Sequence, residues 1–195
     1  ESYRRYFREY GWAMTGSRLA PAELHGLGRA IWIAAVVFAG LFTVLASLFA
    51  AGYAMDDPGG LTGLALVASY LVPTLVGIWL AVRVPDLAFR ILVGIALLAI
   101  AIGVWQVIDP RTVHDWEFAN GPILAIASFA TMLPLALTAR FRMWQCALLM
   151  MAVAFALLVP DLRAGMHFGS SGAVAMPMLF DAGLLGLAAA LAPPR

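Results

Sequence analysis

From residue 31 to residue 192 the chain is a succession of apolar runs 17 to 25 residues long, each ended by proline, glycine or charge. Runs of that length match the hydrocarbon thickness of a bilayer when wound as α-helices at about 1.5 Å per residue. They are too long and too continuous for the alternating segments of about ten residues that build a membrane barrel. In lipid every backbone N–H and C=O needs an internal partner, and a helix supplies it within one segment. Composition agrees: charged residues are 12% of the chain and hydrophobic residues 63%, whereas soluble domains carry about 25% charged residues. The expected fold class is therefore all-α, a polytopic α-helical membrane protein with lipid as its main solvent.

The breaks set the count. Spans are expected at about 31–55, 61–82, 87–108, 118–139, 143–159 and 173–192, which gives six transmembrane helices. Asp56-Asp57-Pro58-Gly59-Gly60 ends the first, Arg83-Val84-Pro85-Asp86 is a tight turn, and Asp109-Pro110 stops the third. Arg140-Phe141-Arg142 reads as a minimal hairpin turn, Pro160-Asp161 as the end of the fifth span, and 160–172 as a glycine-rich loop. Residues 30–195 thus form the six-helix bundle. Residues 1–29 form a polar segment in which Tyr3, Tyr6, Phe7, Tyr10 and Met14 share one helical face and Arg4, Arg5, Arg8 and Glu9 take the others. That pattern predicts an amphipathic interfacial helix on the cytoplasmic membrane surface, with docking on a partner subunit as the competing reading.

Arginine placement predicts the orientation. Arg4, Arg5, Arg8, Arg18, Arg29, Arg83, Arg90, Arg140, Arg142 and Arg195 fall on one side of the predicted membrane; Arg111 and Arg163 fall on the other. Cytoplasmic loops attract basic residues, so the N-terminus and C-terminus are both expected in the cytoplasm. All twelve basic residues are arginine, the mark of a GC-rich genome, and the expected location is a bacterial cytoplasmic (inner) membrane. With a net charge of +1 no nucleic-acid partner is implied.

Asp181 stands out chemically. It lies within Met178-Leu179-Phe180-Asp181-Ala182-Gly183, eight positions into the sixth predicted span and roughly 12 Å from its outer end. A carboxylate at such depth costs about 2.5–3.5 kcal/mol on insertion scales, and no arginine or histidine lies at comparable depth in a predicted span to pair with it; Arg90 is at the inner end of its span. It is read as a neutral acid bonded to a neighbouring helix, as the ligand of a cation or amine in an intramembrane cavity, or as the partner of a basic residue on another subunit. Thr43, Ser47, Tyr53, Tyr70 and Thr131 are the candidate partners or cavity-lining residues. Pro73, Pro134 and Pro177 each free a carbonyl one turn earlier, which is compatible with a central cavity and equally with plain packing.

Other features are weaker. His114, Asp115, Glu117, Asp161 and His167 gather on the predicted outer face as candidate divalent-metal ligands, although their spacing fits no metal motif and a solvated-loop reading is preferred. His25, His114 and His167 lie outside the spans, which argues against haem, and no cofactor is expected. Cys146 is the one cysteine, so neither an internal disulfide nor a thiolate cluster can form within the chain. Ala35, Ala39, Thr43, Ser47 and Ala51 make a small-residue ridge, as do Ala182, Gly186 and Ala190; helix packing explains both better than subunit assembly does. Val84-Pro85-Asp86-Leu87 recurs as Val159-Pro160-Asp161-Leu162 and is read as coincidence.

No phosphate-binding glycine loop, Gly-x-Ser-x-Gly elbow or His-Glu-x-x-His appears. The first functional expectation is a non-catalytic integral membrane subunit that binds or stabilises a partner in a membrane complex. The second is a small-molecule or ion binding or transport protein using Asp181, with an apolar or small cationic ligand. The third is an enzyme on a lipid or isoprenoid-like substrate with Asp181 as catalytic acid; an enzyme is disfavoured because no polar partner for that acid stands out.

Overall fold

The computed structural model describes residues 24, 26–56, 60–109, 123–163 and 170–192; the side chains of 53, 55, 123–127, 160–163 and 170–173 lie outside that description. Five helical elements follow in order: α1 (Gly26–Asp56), α2 (Gly60–Arg83), α3 (Pro85–Ile108), α4 (Ile123–Arg163) and α5 (Ser170–Ala190). No strand occurs among the described residues. Four stretches are long and apolar enough to cross a membrane: Gly26–Gly52, Gly60–Arg83, Pro85–Ile108 and Ser128–Val159. Val174–Ala190 is a shorter apolar helix. The chain is an all-helical protein of the membrane-embedded kind.

Sequence-based boundaries shift in instructive ways. α1 opens at Gly26, five residues before the expected 31, and α2 opens at Gly60; both glycines have positive φ, 52° and 57°. That conformation is cheap for glycine and strained for other residues, so each glycine lets the chain turn sharply into its helix. The α4 helix continues through Pro160 to Arg163, so Pro160 does not stop the helix, although the stretch apolar enough to cross a membrane ends at Val159 as expected. A proline near a helix terminus deletes one N–H, but the helix needs only its last turn beyond that point. By contrast Pro85 stands at the start of α3, where its missing N–H costs nothing. The two Val-Pro-Asp-Leu segments therefore play different structural roles.

Within α4 the backbone leaves helical geometry at Arg142 (φ −140°, ψ 57°). Val84, the single residue between α2 and α3, has nearly the same conformation (φ −138°, ψ 67°). Contacts show what the break does. Trp32 Nε1 donates to the Ala136 carbonyl at 3.1 Å, and Thr43 Oγ1 to that of Phe129 at 3.4 Å. Residues before the break thus run antiparallel to α1. Beyond it, Arg142 meets Asp86 and Ala156 meets Gly103, so the second leg runs alongside α3 in the same direction.

The core lies between α4, α5 and α1. α5 packs chiefly on α4 and then on α1, while α2 and α3 lean on α4 from the other side. Ala35, Ala39, Met132, Ala136, Cys146, Met150, Ala154, Ala175, Met178, Ala182 and Leu185 form one contiguous buried cluster. Its small residues let backbones approach closely, which is how helices associate when lipid is as apolar as leucine. Gly103 shows the limit: a Cβ there would collide with the Ala156 carbonyl. Pro160 has no N–H to offer that carbonyl four residues earlier, so Ala156 O is free to face the Gly103 backbone. Gly77 makes room in the same manner for the Pro134 ring, whose Cγ would lie 3.1 Å from an added Cβ.

Candidate functional site

Asp181 is the twelfth residue of α5, roughly 16 Å from Ser170 along the axis. It therefore lies near the middle of the helix, deeper than the 12 Å expected, because α5 begins three residues earlier. Buried positions on α5 are Val174, Ala175, Met178, Asp181, Ala182, Leu185, Ala188 and Ala189. These recur every three to four residues, a single stripe turned toward α4 and α1. Asp181 sits on that stripe and is 0% exposed. It points into the protein and away from lipid.

Register locates its surroundings. On α5, Phe180 meets Phe38 with ring centroids 4.8 Å apart, and a Cβ on Gly186 would lie 3.9 Å from Trp144. Counting back five residues antiparallel places Asp181 at about the level of Leu149 and Met150. Met150, Met178 and Leu185 are all fully buried. The acid is embedded in an apolar section of the core, and neither carboxylate oxygen, each fully enclosed, has a hydrogen-bond partner among the described residues.

The residues expected beside it form a separate group. Thr43 Oγ1 donates to Phe129 O, Ser47 Oγ to Thr43 O at 2.7 Å, Tyr70 Oη to Thr43 O at 3.3 Å, and Thr131 Oγ1 to Ser128 O at 2.8 Å. All four hydroxyls are thus committed to backbone carbonyls, in a polar seam where α1, α2 and the first leg of α4 meet. Thr74 joins it by donating to Tyr70 O at 2.8 Å. Hydroxyls on apolar helices commonly settle this way, bonding a carbonyl one turn back when no better acceptor is in reach. No hydrogen bond among the described residues joins the seam to Asp181. The Tyr53 side chain lies outside the described residues.

The candidate metal ligands are likewise outside: His114, Asp115, Glu117 and His167 fall in undescribed segments, and of Asp161 only the backbone is described. Among the described residues no group of three or more His, Cys, Asp or Glu side chains could hold a metal ion.

A second charged site is formed by two turns that the sequence placed apart. Arg142 Nη2 donates to Asp86 Oδ1 at 3.2 Å, Nη1 donates to Gln145 Oε1 at 3.1 Å, and the guanidinium lies 5.0 Å from the centre of the Phe89 ring. A planar guanidinium can satisfy a carboxylate with one edge while resting on an aromatic face. Both turns were legible in sequence; their pairing across 56 positions was not. A charged residue in each of two turns on the same predicted membrane side was the available signal.

No protein-family model matches the chain, and no curated protein or solved structure is detectably similar to it.

Proposed function

We propose that this is a six-span membrane protein that binds a small cation or an amine-bearing molecule inside the bundle through Asp181, as a membrane binding or transport protein. One observation carries the reading: a fully buried acid at mid-helix whose two oxygens lack hydrogen-bond partners among the described residues. Such a group is expensive to insert and to leave unbonded, so a bound species from outside the chain gives it a reason to exist. The small-residue ridge of α1 favours this reading over that of an accessory subunit. Ala35, Ala39 and Thr43 are consumed in packing within the chain, which removes one argument for assembly.

Six crossings are supported by the break at Arg142, which repeats the conformation of the α2–α3 turn, and by the opposite directions of the two legs of α4 relative to α1 and α3. Charge segregation supports termini on the cytoplasmic side of a bacterial inner membrane. Arg29, Arg83, Arg90, Arg140 and Arg142 lie at one end of the described bundle together with Asp86, and Asp56 and Asp109 at the other.

The test uses a hydrophobic carbodiimide, which attacks neutral carboxyls in apolar surroundings. Peptide mapping of the treated protein is expected to find the adduct on Asp181, and excess sodium, lithium, potassium or a tertiary amine, which cannot itself be acylated to an amide, is expected to suppress it. Labelling that none of these suppresses would overturn cation or amine binding. Asp181→Asn is expected to purify folded and to bind none of them.

A non-catalytic subunit is the second reading. It is favoured by the exposure of α2 and α3, whose spanning windows are only 17% buried within the chain, leaving their faces for lipid or a partner helix. Recovery of a stoichiometric membrane partner in mild detergent would support it. For catalysis, no acid–base partner stands beside Asp181 among the described residues.

A further inference from the structure

The junction of the α2–α3 turn with the α4 break gathers more charge than its ion pair uses. Arg83 lies in the last turn of α2, Arg90 one turn beyond Asp86 on α3, and Arg140 two residues before the break; all three are exposed. Arg142 is already engaged by Asp86. Asp86 is the one acidic residue at this end among the described residues, and its pairing with Arg142 leaves Arg83, Arg90 and Arg140 without an acidic partner among them.

Two large aromatics mark the depth of this junction. Trp79, one turn before Arg83, and Trp144, two residues after Arg142, are 58% and 56% exposed. Exposed tryptophan on an apolar helix end settles at the headgroup level, where its ring is buried and its N–H is wet. Arginines on either side of that level can extend along the apolar surface and keep their charged ends among the headgroups.

We propose that the Arg83–Arg90–Arg140 collar, braced by Asp86–Arg142, is a binding site for the headgroup of an anionic phospholipid. The chemistry is that of a phosphodiester with net negative charge: its non-ester oxygens accept paired N–H donors from guanidinium, which matches that geometry better than ammonium does. Basic pockets between helices at a membrane face recruit such lipids over zwitterionic ones. This inference rests on membrane embedding and is independent of any role for Asp181.

The experiment is lipid retention by native mass spectrometry of the full chain, released from mixed micelles containing equal phosphatidylglycerol and phosphatidylcholine of the same acyl chains. Wild type is expected to retain phosphatidylglycerol selectively. Arg83→Gln/Arg90→Gln/Arg140→Gln is expected to lose that preference, with affinity falling on the order of 100-fold if each arginine contributes its usual share at an anionic surface. Excess inorganic phosphate is expected to leave the bound lipid in place. Equal retention of both lipids by wild type, or unchanged selectivity in the triple variant, would overturn the site. Displacement by inorganic phosphate would overturn the lipid assignment in favour of a soluble anion. Should the triple variant fail to fold, the three single variants must each reduce retention; three unaffected singles would equally refute the proposal.

Discussion

Arg142 and Asp86 are joined by a 3.2 Å ion pair that ties the α2–α3 turn to the break in α4. Arg142 is itself a one-residue interruption of helix and Asp86 lies two residues beyond the other, Val84; the two interruptions share almost the same backbone angles. The pair thus ties the α2–α3 turn to the junction between the two legs of α4. Its side chains are 29% and 32% exposed, so solvent screens much of the attraction, and its value lies in register more than in energy.

A double-mutant cycle measures that claim. Asp86→Ala, Arg142→Ala and the double variant, unfolded in detergent, are expected to give a coupling energy between roughly 0.2 and 1 kcal/mol, as for other partly exposed pairs. Zero coupling would show that the turns are held by backbone packing alone.

Gly103 is expected to be intolerant of any side chain. Gly103→Ala must push α3 away from the Ala156 carbonyl, a backbone atom that cannot rotate aside, at a cost of about 1–3 kcal/mol. Gly94→Ala, on the same helix with open space around it, should stay within about 0.5 kcal/mol of wild type. Comparable thermal stabilities for the two variants would contradict the close approach seen here.

The bond from Trp32 to Ala136 O links α1 to the first leg of α4. Trp32→Phe keeps most of the packing and deletes the donor. Interhelical hydrogen bonds in membrane proteins average about 0.6 kcal/mol, and a loss of that order in unfolding free energy is expected. A loss several times larger would mean that ring volume, not the N–H, matters there.

Asp181 offers a stability test distinct from its binding test. Replacing a buried acid that lacks a partner by an apolar side chain of similar size removes an unsatisfied group, so Asp181→Leu should be more resistant to unfolding by about 1–3 kcal/mol. Such a gain, together with lost binding, is the trade expected when a site is kept for function. A destabilised Asp181→Leu would instead assign the carboxyl a structural bond within the protein.

How much of this was legible beforehand differs by feature. The depth of Asp181 could be read from its place in an apolar run, because a helix converts sequence position into height. Its isolation could not. Thr43, Ser47, Tyr70 and Thr131 were reasonable partners by composition, yet each found a carbonyl on its own or an adjacent helix, since a hydroxyl bonds the first acceptor in reach. Pro160 reads as a helix stop in sequence, yet the helix runs on to Arg163, because a proline in the last turn need only leave one carbonyl free.

The sequence alone determined that this chain is helical and built for lipid, since uninterrupted apolar runs leave backbone groups no other way to be satisfied. It also placed the α2–α3 turn and the break at Arg142, and showed where the arginines concentrate. Tertiary structure decided which helices touch. The small-residue face of α1 meets α4, Gly103 meets Ala156, and Arg142 meets Asp86. In a medium as apolar as the side chains themselves, hydrophobicity cannot choose among partners. Shape and a few polar bonds make that choice, and both appear only when the helices are set side by side.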